Sequence, residues 1–99
     1  MQEKYVGQWT NGERTGFGTL YFAEGDIYVG QFENKKLNGD GTIFYAKGDW
    51  YTGRWKEDSR HGSGIYYNAD GSYYTAEWRD GVIVSGTRRD YNYDGSLKD

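Results

Sequence analysis

A 23-residue repeat runs through most of this 99-residue chain and constrains its fold more than any other feature. Each unit begins with a tyrosine, has a small residue two positions later, and has an aromatic residue two positions after that. The repeat predicts one domain, residues 1–99, with units at about 5–27, 28–50, 51–73 and 74–97. The three columns are Tyr5, Tyr28, Tyr51 and Tyr74; Gly7, Gly30, Gly53 and Ala76; and Trp9, Phe32, Trp55 and Trp78.

Further glycine columns complete each unit. In the first unit they are Gly16, Gly18 and Gly25. In the fourth unit the columns resume one residue late, and Arg88 replaces the second glycine. A degenerate last unit is typical of a stacked array, because that unit has no neighbour to pack against.

Each unit is predicted to form a β-hairpin. In the first unit, residues 5–10 alternate as a strand, a polar loop follows at Asn11 to Thr15, and a second strand runs from Gly16 to about Phe22. The turn glycine that ends each unit fits a backbone position with positive φ. The chain should therefore form eight short strands in an antiparallel meander.

Glycine inside a strand normally weakens it, yet here glycines recur beside large aromatic residues. In an antiparallel hairpin, Gly7 can lie opposite Gly18 and Trp9 near Gly16, so that a ring lies flat over bare backbone. The predicted fold class is therefore all-β, with a single-layer antiparallel sheet whose core is a row of rings.

The composition argues against catalysis and metal binding. The chain has no Cys, and its one histidine, His61, has only Asp58 nearby in sequence, which is not a ligand set. The Gly-x-Gly pairs lie within hairpins, not between a strand and a helix, so they do not form a phosphate loop. We therefore expect no enzyme activity, no catalytic residue, no metal and no cofactor.

Charge and targeting signals narrow the setting. The net charge of −3 provides no basic field for nucleic acid. No apolar run approaches the roughly 20 residues that a membrane helix needs. The lack of cysteine and of a signal sequence favours a reducing, cytoplasmic location.

The pattern Tyr-x-Gly-x-Trp, followed by a polar loop and Gly-x-Gly, resembles the MORN repeat, and the resemblance spans about residues 4–97. It departs at Phe32, Ala76 and Arg88 and at an insertion after Trp78. The resemblance implies an elongated, curved antiparallel sheet with a groove. It also implies scaffolding, binding of protein partners, dimerisation end to end in some members, and a link to anionic phospholipids. The motif reads Tyr5-Val6-Gly7-Gln8-Trp9 in the first unit and Tyr51-Thr52-Gly53-Arg54-Trp55 in the third.

Strand alternation gives the sheet two faces. The face that carries the aromatic columns is the predicted core: Tyr5, Trp9, Tyr28, Phe32, Tyr51, Trp55, Tyr74 and Trp78. The other face carries further rings, which predict a groove for a helix or an extended peptide, unless curvature or local packing buries them. The predicted partner-binding residues are Tyr21, Phe44, Trp50, Tyr67 and Tyr73, with Trp50 and Tyr73 as anchors.

A basic cluster in the second half offers an alternative site. It comprises Arg54, Lys56, Arg60, Arg79, Arg88 and Arg89. Of these, Arg54, Lys56 and Arg79 are the candidates for binding an anion such as a phosphoinositide headgroup. Interleaved acidic residues also allow a mixed, solvated face. The favoured function is a non-catalytic protein-interaction or scaffold module, and the alternative is binding of anionic phospholipid.

Open edges of a single-layer sheet invite pairing. The first strand near Tyr5 or the last near Tyr91 could pair with another copy and form a homo-oligomer. At the C-terminal edge, the charges of Arg88, Arg89, Asp90 and Asp94 also fit a cap that blocks such pairing.

Overall fold

The structure, a computed structural model, describes residues 3–98, which form strands and no helix. All strands belong to one antiparallel sheet in which β1 to β8 follow chain order, and β9 also pairs with β7. The predicted all-β, single-layer meander is confirmed. The strands are β1 Lys4–Thr10, β2 Glu13–Tyr21, β3 Ile27–Glu33, β4 Lys36–Phe44, β5 Trp50–Lys56, β6 Ser59–Tyr67, β7 Tyr73–Arg79, β8 Val82–Ile83 and β9 Arg89–Tyr91.

Tight two-residue turns close the hairpins. β1 and β2 are joined by Asn11 and Gly12 alone, whose φ angles are 51° and 78°. Two consecutive residues with positive φ form the turn whose twist matches that of paired strands, and Asn-Gly is its preferred sequence. The predicted polar loop from Asn11 to Thr15 is therefore wrong, since residues 13–15 belong to β2.

The register aligns glycines across the sheet. Gly7 lies opposite Gly18, as predicted, and Gly18 lies opposite Gly30 of the next unit. Trp9, however, lies opposite Arg14 because the register shifts between Gly7 and Trp9. The glycine predicted beside Trp9, Gly16, instead lies opposite Phe32 of the second unit. The column of Trp9 and Phe32 therefore lies opposite glycine between units and not within them.

The core is a ladder of rings on one face. Tyr28 and Tyr51 are fully buried. Tyr5, Tyr28 and Tyr51 each pack edge-to-face on the aromatic residue of their own unit and on that of the next, as Tyr28 does on Phe32 at 5.2 Å and on Trp55 at 5.5 Å between ring centroids. Such edge-to-face pairs add about 0.5–1.5 kcal/mol each beyond the burial of their area.

One predicted core residue departs from this pattern. Trp9 is 56% exposed, whereas its equivalents Phe32, Trp55 and Trp78 are 3%, 7% and 2% exposed. The difference follows from position, because β1 has no neighbour on its outer side within residues 3–98. The ring of Trp9 packs against that of Tyr5, with 4.9 Å between ring centroids, and its outer side faces solvent.

The fourth unit ends the sheet irregularly. Its second half pairs with β7 as two short segments, β8 and β9, in place of one long strand. The Arg88 guanidinium lies 3.8 Å from the ring centroid of Tyr74 and pairs with Asp90 at 2.8 Å. This charged pair covers the last ring of the core. The predicted elongation agrees with overall extents of 50 × 25 × 18 Å.

Candidate partner-binding face

All five predicted partner-binding residues lie in one line across the strands. Tyr21 pairs through Ile27 with Phe44, Phe44 pairs with Trp50, and the line continues through later strands. Because successive strand residues point to opposite faces, this line lies on the face opposite the buried tyrosines. We call it the aromatic row: Tyr21, Ile27, Phe44, Trp50, Tyr67, Tyr73 and Tyr91.

The row has a stacked half and an open half. Trp50 and Tyr67 stack at 4.8 Å with an interplanar angle of 18°, and Tyr67 lies 5.4 Å from Tyr73. These rings are half-buried by one another. Tyr21 and Phe44, in contrast, are 41% and 44% exposed. Local packing thus accounts for part of the burial in the stacked half, and the open half keeps its apolar surface in contact with solvent.

Sequence reasoning missed the last member of the row, Tyr91. Its ring stacks on Tyr73 at 5.0 Å with an interplanar angle of 13°. The insertion after Trp78 shifts the fourth unit, so the period that placed Tyr21 and Phe44 does not place Tyr91. The two-residue alternation around Arg89 and Tyr91, counted back from the C-terminal turn at Gly95, was the available signal.

A line of mostly β-branched residues runs beside the aromatic row. Thr19 lies opposite Val29, and Thr42 lies opposite Thr52. The Thr42 hydroxyl donates a hydrogen bond to the Thr52 hydroxyl at 2.9 Å, so each hydroxyl has a hydrogen-bond partner in the neighbouring strand. The side chains of this line are shorter than the rings of the aromatic row, and the line forms a floor beside the row.

Charged residues line a groove next to this floor, toward the hairpin tips. The groove has a volume of about 750 Å³ and adjoins a second depression of about 470 Å³ over Thr52 and Thr75. Arg54 and Asp40 pair within it at 3.3 Å, and Glu77 lies on the same wall. The groove therefore offers both signs of charge beside an apolar ridge.

The predicted anion site is only partly assembled. Arg54 and Lys56 both line the groove, whereas Arg79 is exposed on the same face outside it. The Arg54 guanidinium already has a carboxylate partner in Asp40, which leaves less of its charge for an incoming anion. Among the described residues, no side of the groove is lined by basic side chains alone, since Asp40 and Glu77 also line it.

Two members of the predicted basic cluster lie on the opposite face, which corrects that prediction. Arg60 lies opposite Trp55, its guanidinium is 4.8 Å from the ring centroid of Tyr51, and it donates a hydrogen bond to the Tyr45 hydroxyl. Arg88 lies over Tyr74. Arg60 and Tyr66 are six residues apart in β6, so strand alternation places both on the core side, where Arg60 covers rings.

The titratable groups that are most perturbed are structural. Burial raises the pKa of the Tyr51 hydroxyl to about 12. A hydrogen bond from the Tyr66 hydroxyl at 2.7 Å is the main cause that lowers the pKa of Asp49. Within residues 3–98 no three His, Cys, Asp or Glu side chains are grouped to hold a metal, and no helix is long and apolar enough to cross a membrane.

Comparison with known proteins agrees with the repeat. The model of one family, the MORN repeat, matches residues 5–27, 28–50 and 51–73, which together make up more than half of the chain. No curated protein matches the sequence.

Proposed function

The chain belongs to the MORN repeat family, whose repeats are generally modules of protein or membrane interaction, and on that premise we propose that it binds a protein partner through the aromatic row. The single observation that carries the proposal is the open half of the row. Tyr21 and Phe44 keep 41% and 44% of their surface exposed in register with a stacked ridge. Contiguous apolar surface of this kind marks sites of interaction.

The row favours an α-helix as the bound element. It crosses the strands, and its stacked rings follow one another at 4.8, 5.4 and 5.0 Å. An α-helix presents a new turn of side chains about every 5.4 Å, whereas an extended strand presents same-face residues about every 6.6 Å. A helix lying across the strands would therefore place one apolar side chain against each successive pair of rings.

The groove would set the orientation of the partner. Arg54 and Lys56 lie on it together with Asp40 and Glu77, so a helix flank with both charge signs would be complementary. Exposed ion pairs contribute only about 0–1 kcal/mol each. Affinity would come from the rings, and the charges would favour one direction and register of the helix.

Affinity capture with matched variants tests the proposal. The row variant is Tyr21→Ser with Phe44→Ser, and the control is Phe17→Ser, since Phe17 is 61% exposed on the same face but lies outside the row. All three replaced rings are exposed, so the fold should survive, which circular dichroism checks. A partner retained by the wild type and the control, and lost by the row variant, supports the proposal. Equal retention by all three proteins argues against it.

Vesicle sedimentation addresses the alternative, binding of anionic phospholipid. Because Arg54 is paired with Asp40, we expect weak binding to vesicles that contain phosphoinositide. Strong sedimentation that is abolished by Arg54→Glu with Arg79→Glu, and unchanged by the row variant, would favour the lipid function instead.

A further inference from the structure

The outer edge of β1 has the same residue pattern as the outer edges of β3, β5 and β7, but it is unpaired among the described strands. β3, β5 and β7 carry the same aromatic and small-residue columns as β1, and each has a neighbouring strand on both sides. Among the described strands, β1 has one neighbour, β2. Six of its seven residues are exposed, including Val6 and Trp9.

The internal strands show what such an edge accepts. On the outer side of β3, Phe32 faces Gly16, Gly30 faces Gly18, and Tyr28 faces Leu20. The outer sides of β5 and β7 repeat the arrangement with a glycine, a second glycine and then a large apolar residue: Gly39, Gly41 and Ile43, and Gly62, Gly64 and Tyr66.

The glycine opposite the aromatic column has a backbone reason. Gly16, Gly39 and Gly62 have φ angles of 67°, 97° and 88°, a region that other residues adopt at a cost of about 1–2 kcal/mol. The ring also uses the exposed backbone, since the Trp55 indole nitrogen donates a hydrogen bond to the Gly41 carbonyl at 3.1 Å. Trp9 lacks this contact within the described chain, because no strand lies beyond it.

We propose that the outer edge of β1 is a second binding site, which takes an extended segment of a partner protein with the sequence Gly-x-Gly-x-Z, in which Z is a large apolar residue. The segment pairs antiparallel to β1. Its first glycine lies opposite Trp9, its second opposite Gly7, and its large apolar residue opposite Tyr5. Main-chain hydrogen bonds supply the affinity and the two glycines supply the specificity.

A second folded copy of this chain does not fit the edge. The strands of this chain that have the required sequence, β2, β4 and β6, are each paired on both edges. Another folded copy could offer none of them. The site is also separate from the aromatic row. It uses the main chain of one edge strand and the ring of Trp9 on the core face, whereas the row lies on the opposite face.

Nuclear magnetic resonance with a peptide tests the site. The probe is the blocked heptapeptide with the sequence of residues 39–45, Gly-Asp-Gly-Thr-Ile-Phe-Tyr, added to the ¹⁵N-labelled protein. We expect saturable shift changes in β1 and β2 and at the indole N–H of Trp9. The control peptide carries Gly39→Val and Gly41→Val and should bind about tenfold more weakly or not at all. Equal binding of both peptides, no shifts at millimolar concentration, or shifts centred on the aromatic row would overturn the proposal.

Variants of the protein supply a second, matched comparison. Trp9→Ala removes a ring that is 56% exposed, so the fold should be retained while peptide affinity falls about tenfold, equivalent to about 1.4 kcal/mol. Phe17→Ala removes a ring of similar exposure on the other face and should leave the affinity unchanged. Unchanged affinity of the Trp9→Ala protein would contradict the assignment, and the valine peptide decides the case if this variant does not fold.

Discussion

The ring of Tyr28 lies directly over the backbone of Gly41 in the neighbouring strand, so closely that a Cβ at residue 41 would overlap the ring. The Tyr28 hydroxyl donates a hydrogen bond to the Gln31 carbonyl at 2.9 Å, which holds the ring in that place. The same arrangement joins Tyr51 to Gly64 and Tyr5 to Gly18. The glycines inside the strands thus provide the bare backbone against which the core rings pack.

Gly41→Ala should therefore lower the free energy of unfolding by about 2 kcal/mol, since an added methyl group overpacks the contact with Tyr28. Urea denaturation measures the change. Gly12→Ala is the control, because nothing lies within 4 Å of its added Cβ and only its φ of 78° is unfavourable, at a cost of about 1 kcal/mol. A smaller loss for Gly41→Ala than for Gly12→Ala would contradict the role of the ring contact.

The second hairpin turn should be improved by glycine. Lys35 has a φ of 71°, and its ion pair with Glu13 is long, at 4.0 Å, and exposed. Lys35→Gly should raise the free energy of unfolding by about 1 kcal/mol, because glycine adopts that backbone without the penalty of a Cβ. Lys36→Gly, one residue further on in β4, should instead destabilise the protein. Thermal unfolding compares them, and a lower melting temperature for Lys35→Gly than for wild type would refute the turn assignment.

Arg60 should contribute to stability through the rings around it. Its guanidinium lies 4.8 Å from the centroid of Tyr51 and 5.4 Å from that of Tyr66. Arg60→Gln keeps much of the aliphatic stem and removes the charge, so we expect a loss of about 1–2 kcal/mol in urea denaturation. Arg79→Gln, on the exposed opposite face, should change stability by less than about 0.5 kcal/mol. Equal effects of the two substitutions would show that the cation–π contacts contribute nothing.

Asp49 should make stability depend on pH in the acid range. The hydrogen bond from Tyr66 lowers the pKa of Asp49 in the folded protein, so its contribution is present above the unfolded pKa of about 3.9 and is lost as the pH falls through the folded value. Wild type should therefore lose stability as the pH falls from about 5 to about 2, and Asp49→Asn should lose less. Asp70 and Asp94 also have lowered pKa values, so part of the dependence remains in the variant. Identical losses in both proteins would exclude a role for Asp49.

The repeat columns predicted the fold because period and register both depend on local sequence. Gly7 opposite Gly18 follows from the spacing of glycines in one hairpin. The face of Arg60 was missed because the residues before Gly62 were predicted as a loop, whereas they belong to β6 and follow its alternation. Asn11-Gly12 is a strong signal for a two-residue turn that the sequence analysis overlooked, whereas Glu57-Asp58 carries no such signal.

The candidate site was predictable only in part. The alternation of strand residues placed Tyr21 and Phe44 on one face, and the structure brings them into one row. Which rings stack and which stay open depends on sheet twist and on neighbours such as Tyr91, whose column is displaced by the insertion. The groove beside Arg54 is lined by residues of four strands, β4 to β7, so no single strand encodes it.

Photo-cross-linking from the aromatic row tests the central claim most directly. A benzophenone amino acid replaces Phe44 in one protein and Phe17 in another, because both rings are exposed on the same face and only Phe44 belongs to the row. The account predicts that residue 44 cross-links one defined partner protein, that residue 17 gives little of that product, and that Tyr21→Ser in the first protein reduces the yield. The same product at equal yield from both positions, or no discrete product from residue 44, would contradict the account.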